Sequence, residues 1–188
     1  MVMAAAFPRY TLDMLDALPE QPGVRYELVD GVLLVTRPPG SSHSVVTGRL
    51  VSMLRAGIPE SVAYVAPPGE VRVGGNTSLV PDILVYPSRF RPGTRWADID
   101  EWFLAIEIVS PSLVACDRDH KRRAYLALGV HEYWVVDPPA RTIEVWHPGD
   151  SEPAVVRSTV RYRTPDGSRV VETDTAALFR DVPLLIDG

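Results

Sequence analysis

Trp102-Phe-Leu-Ala-Ile-Glu-Ile-Val109 is a nearly continuous apolar run, the pattern of a central strand covered on both faces. Only Glu107 interrupts it. Downstream, Asp117-Arg-Asp-His-Lys-Arg-Arg-Ala-Tyr-Leu-Ala-Leu-Gly129 reads as a short helix closed by a glycine suited to the left-handed stop position. His131-Glu-Tyr-Trp-Val-Val-Asp137 and Arg141-Thr-Ile-Glu-Val-Trp-His147 then form a hairpin across a Pro-Pro-Ala turn. Upstream, Leu79-Val-Pro-Asp-Ile-Leu-Val-Tyr86 is a strand whose proline marks an edge, a bulge or a start.

Further out, Thr11 caps a helix over Leu12–Leu18, and Val24–Val29 and Val32–Arg37 pair across Asp30-Gly31, the strongest short hairpin signal. Ser41–Arg55 has apolar residues at Val46, Leu50, Met53 and Leu54, a helical spacing with serine N-caps in front. Val62–Ala66 and Glu70–Val73 are short strands, and residues 87–101 form a long surface loop able to approach a substrate. The tail adds β-prone pieces at Ala154–Tyr162 and Arg169–Glu172 and a short helix at Thr175–Phe179. The order predicts an α/β or α+β fold with a central mixed sheet flanked by helices, as one domain over residues 1–188.

The net charge of −5 argues against a protein that coats nucleic acid by bulk charge, though a local patch can still bind it. Cys116 is the single cysteine, so it has no internal disulfide partner, and its simplest reading is a buried thiol. His43, His120, His131 and His147 lack zinc-ligand spacing. Met1–Phe7 lacks the charged start of a secretory signal, and no run approaches the ~20 apolar residues of a membrane span. A soluble, cytoplasmic protein is expected.

Of 19 basic residues, Lys121 is the only lysine. Lys121, Ala124, Tyr125 and Leu128 fall at i, i+3, i+4 and i+7, so the amine shares the apolar stripe of its helix and needs a partner. Asp82 and Glu107, on neighbouring strand-like runs, are the candidates. Two adjacent carboxylates repel unless a hard divalent cation such as magnesium or manganese joins them. The Val109 carbonyl, on the Glu107 face, is a further candidate ligand. Such a metal lowers the pKa of a bound water, and the amine orients that water or stabilises a pentacoordinate phosphate, which is phosphodiester hydrolysis. Composition and spacing leave a structural ion pair equally open.

Val80-Pro81-Asp82, Glu107-Ile-Val-Ser110, Asp117 to Lys121, Tyr125, Gly129-Val130 and Glu132-Tyr-Trp-Val-Val-Asp-Pro138 together resemble the Uma family of restriction-endonuclease-like proteins, within the PD-(D/E)XK nuclease superfamily. Tyr26-Glu-Leu-Val-Asp-Gly31 and Ser42-His43 extend the likeness. The resemblance implies a restriction-endonuclease-like core and a metal-dependent endonuclease acting on DNA, with Asp82 and Glu107 as ligands. The superfamily motif has its lysine two residues after the acid, where this chain has Val109; the resemblance places that lysine on the following helix, as Lys121.

Weaker candidates are Glu27, as a third carboxylate, and His43, for phosphate contact or proton transfer. Asp117 reads as a helix cap. Arg118, Arg122, Arg123, Arg89, Arg91 and Arg95 serve equally as DNA-backbone contacts or as a solvated face. Double-stranded DNA as substrate suits a homodimer, for which the apolar hairpins at 131–147 and 154–172 offer a surface. The alternative is a catalytically silent nuclease fold acting as a nucleic-acid- or partner-binding module.

Overall fold

A computed structural model describes residues 9–36, 39–109 and 116–183, with Cys116 described by its backbone alone. The expectation of a buried Cys116 thiol and the Ser110 part of the quoted motif therefore lie outside the described residues. Helix α1 (Leu12–Asp16) opens at Thr11, whose hydroxyl accepts from the Met14 N–H. Strands β1 (Arg25–Val29) and β2 (Val32–Thr36) pair across Asp30 and Gly31, both at positive φ, as the two-residue turn of a right-twisted hairpin requires. Helix α2 (Ser41–Gly57) starts from Gly40 with no side-chain cap, so the expected serine N-caps do not form; the Ser44 hydroxyl donates back to Gly40 O instead.

Strands β3 (Ala63–Ala66), β4 (Val71–Val73), β5 (Thr77–Leu79), β6 (Ile83–Pro87) and β7 (Leu104–Ile108) follow. A π-helical turn (Cys116–Lys121) runs directly into helix α3 (Arg122–Ala127). Strands β8 (Glu132–Asp137), β9 (Thr142–Trp146), β10 (Ala154–Val156), β11 (Thr159–Arg163) and β12 (Val170–Asp174) and helix α4 (Thr175–Leu178) complete the order.

The main sheet has six strands in the order β10-β9-β8-β7-β6-β3, with β7 parallel to β8 and the remaining pairs antiparallel. One face packs on α2, α4 and the β11–β12 hairpin; the other lies under α3 and a smaller sheet, β2-β1-β5-β4. This is why Trp102–Val109 reads as unbroken apolar sequence: β7 is covered on both sides, and all five of its residues are buried.

The run 79–86 is two strands. Proline has no N–H to give a ladder, and at Pro81 the chain leaves the small sheet and enters the main one. Three further expectations change. The 87–101 loop joins the end of β6 to the start of β7, whereas Asp82 and Glu107 lie at the other end of those antiparallel strands, a strand length of roughly 15 Å away. It therefore does not line the space between those acids. The 131–147 hairpin is buried inside the main sheet and offers no association surface. The 154–162 piece divides between β10, on the main sheet's edge, and β11, in a separate hairpin with β12.

Candidate active site

Glu107 faces α3 and the small sheet, and no water reaches it to offset the loss of solvation. Lys121 supplies the compensation. Its Nζ donates to Glu107 Oε1 at 3.1 Å and to Glu27 Oε1 at 2.9 Å, and lies 3.5 Å from Asp117 Oδ1. Tyr125, one turn along the same helix, donates its hydroxyl to Glu107 Oε1 at 2.9 Å. The helical count that put Lys121 and Tyr125 on one inward stripe is therefore seen in the structure.

Glu27 arrives from the other sheet. Its second oxygen accepts the Val80 N–H at 3.0 Å, a donor left without a ladder partner where the chain changes sheets before Pro81. Asp82 follows that break. Its Oδ2 accepts the Ile108 N–H at 2.9 Å, which holds it against the backbone next to Glu107, and lies 2.8 Å from His43 Nε2 on α2. Arg25 Nη1 stands 3.7 Å from Asp82 Oδ1. Val109 continues the parallel ladder by donating to Val136 O at 2.9 Å, and its side chain joins the apolar cluster of Tyr125 and Tyr133.

All five residues expected at the site thus gather around the β6–β7 end, Glu107, Glu27 and Lys121 in one contact set and Asp82 with His43 beside it. Asp117 corrects the cap reading. It is 3% exposed, belongs to the π turn, and its Oδ1 takes no hydrogen bond among the described residues. Its spacing of four from Lys121 is the signal that could have found it. The π turn is anchored by Arg118, which donates from Nε to Glu144 at 2.7 Å and from Nη2 to Asp137 at 2.8 Å, and by the Tyr133 hydroxyl on Asp117 O. Of the other arginines considered for DNA contact, Arg123 pairs with Asp119, Arg95 with Asp98, and Arg89 with Asp100 and Glu101. Arg122 lies over the Trp146 ring.

Three buried carboxyl groups face one amine, and the charges do not balance. Burial draws the Lys121 amine down, but Glu107, Glu27 and Asp117 outweigh it, so its pKa ends well above the ordinary lysine value and it stays an ammonium. Burial pushes Glu107 up, Lys121 pulls it partly back, and Asp117, Asp82 and Glu27 push again, leaving it well above the carboxylate range. Burial likewise raises Asp117, which Lys121 only partly offsets, to about 6. The cluster therefore retains a proton that a cation could replace.

Carboxylate and backbone oxygens are the donors that a hard divalent cation takes, and the excess negative charge and an Asp117 oxygen without a hydrogen bond among the described residues suit one. Among the described residues, no three His, Cys, Asp or Glu side chains converge closely enough to form a ready-made cage. A cation held here would keep much of its water shell, as magnesium does.

A central mixed sheet with helices against both faces, and acids at the meeting end of two adjacent strands, places the chain in the nuclease-fold class. The model of the Uma2 family, described as "Putative restriction endonuclease", matches residues 12–178, and the chain belongs to that family. The crystal structure of a protein described as a "putative nuclease belonging to DUF820" from Anabaena variabilis ATCC 29413 superposes with a TM-score of 0.75, at 23% identity, over 90% of this chain and 97% of that one. At that identity the likeness establishes the fold. Among curated proteins none matches. Among the described residues no helix is long and apolar enough to cross a membrane.

Proposed function

We propose that the chain is a metal-dependent endonuclease that hydrolyses phosphodiester bonds in DNA. One observation carries the reading: Lys121 reaches Glu107 from the helix that follows, beside an Asp82 fastened to the same strand backbone, which supports a nuclease site although the sequence spacing of acid, acid and lysine is broken. Asp82 and Glu107 would hold magnesium or manganese, with the Val109 carbonyl as a further ligand. The ion would acidify a water and neutralise phosphoryl charge.

The chain's own groups divide the remaining work. Lys121, kept charged by its three acids, would stabilise negative charge as it develops on the phosphoryl oxygens. Glu27 and Asp117 position that ammonium, and the Tyr125 hydroxyl orients Glu107. His43 and Arg25 sit beside Asp82, where an incoming phosphate would meet them. Cutting both strands of a duplex suits two copies acting together, and light scattering on the eluted protein tests that; a monomer counts against it.

Plasmid cleavage with magnesium or manganese tests the site, comparing the native chain with Asp82→Asn and Lys121→Ala. Loss of cleavage in both variants is expected, and equal activity in all three would end the proposal. The rival, a silent nuclease fold that only binds nucleic acid, draws on the want of a three-donor cage among the described residues. Manganese titration separates the two, since a working site binds the ion in a Glu107-dependent way.

A further inference from the structure

Helix α2 carries Gly48 near its middle, and the protein's own packing does not require a glycine there. A Cβ built at Gly48 meets no atom within 4 Å, so no neighbour excludes a side chain. A mid-helix glycine costs stability relative to alanine, and close approach of a ligand to the backbone is one reason to keep one. Gly48 is exposed and borders two surface cavities, and the one of about 320 Å³ is also lined by Arg25, His43, Pro67, Pro68 and Asp82. That volume falls within the range of small-ligand sites, roughly 300–1,000 Å³. Its wall is mainly apolar, with two side chains suited to an anion at the place where it meets the proposed metal centre.

Resting on the nuclease reading, we propose that this cavity receives one unpaired nucleotide of the DNA strand, its base against the prolines and the bare Gly48 backbone and its phosphate at Arg25 and His43. A base stacked in an intact duplex cannot enter a pocket of this kind, whereas an extruded or single-stranded base can lie between apolar side chains. Arg25 is positioned for the phosphate: its guanidinium is half-buried, and its 3.7 Å separation from Asp82 is beyond hydrogen-bond length. The charge distribution points the same way. The net charge is −5, and of the six arginines considered above for DNA contact Arg89, Arg95, Arg118 and Arg123 are each tied to carboxylates.

Fluorescence anisotropy of an end-labelled single-stranded oligonucleotide and of its paired duplex, without added metal, tests this on the full chain. The native protein should bind the single strand at least about tenfold more tightly than the duplex. Gly48→Leu, which sets a bulky side chain at the cavity's edge, should lose about tenfold in single-strand affinity without a lowered unfolding midpoint, leucine being the better helix former. Should Gly48→Leu fail to fold, Arg25→Gln is read instead, with weaker single-strand binding and a salt slope smaller by about one. Equal or tighter duplex binding, no single-strand binding, or a folded Gly48→Leu that binds as the native chain does overturns the proposal. Manganese-dependent cleavage of the same oligonucleotides, run alongside, keeps the two readings apart. Selective binding without cleavage sinks the nuclease and leaves the pocket, while cleavage without selectivity does the reverse.

Discussion

Replacing Lys121 by methionine keeps the length of the side chain and removes its charge, so the cost measures what the ammonium does among its three acids. The separations are 2.9 Å to Glu27, 3.1 Å to Glu107 and 3.5 Å to Asp117. At about 3 Å and an effective dielectric near 20, each fully ionised pair is worth roughly 5 kcal/mol before desolvation. Desolvation of the amine takes much of that back, and removing one partner of a buried pair costs about 3–5 kcal/mol net. That is the loss expected near pH 8 in urea unfolding without metal. The loss depends on pH with a definite sign. Asp117 is raised on folding from 3.8 to about 6, so its contribution to stability is fully present below 3.8 and falls as pH rises through about 6. Glu107 behaves in the same direction. Lys121 limits that fall by favouring the ionised forms of Asp117 and Glu107, and below about pH 5 those two hold protons and the amine has less charge to neutralise. Lys121→Met should therefore cost less in acid than near pH 8, the gap opening between roughly pH 5 and 8. An equal loss at both ends would show that Lys121 acts through its hydrocarbon stem, and the charge argument would fail.

Two further outcomes follow from the same geometry. Manganese affinity, followed by calorimetry, should rise from about pH 5.5 to 8 with protons released on binding, because Glu107 and Asp117 must ionise first; Glu107→Gln should weaken it by at least about tenfold and flatten the slope, and a pH-independent affinity would contradict the raised pKa values. Gly69→Ala places a Cβ against the fully buried Leu84 side chain and should cost about 1–3 kcal/mol of stability in urea, an unchanged midpoint being the contrary result.

Some of this was legible along the chain. The apolar run around Glu107, the Asp-Gly hairpin and the inward stripe of Lys121 and Tyr125 follow from local periodicity, which depends on residues a few positions apart. The strand break at Pro81 was ambiguous because a proline marks an irregularity without saying which sheet each side joins. Glu27 could be named only as a weak candidate, since it lies 94 residues from Lys121 and on another sheet. Asp117 reads as a cap because it opens its segment, whereas its partner is Lys121 four residues on, which shares its inward face.

By itself the sequence determined that a lysine on an apolar face would need acids, and that a covered central strand would offer one of them. The tertiary structure decided how many acids gather there, and so the charge state of the site. Periodicity orients a side chain relative to its own element, whereas the balance of one ammonium against Glu27, Glu107 and Asp117 is set by three layers meeting at the end of two strands.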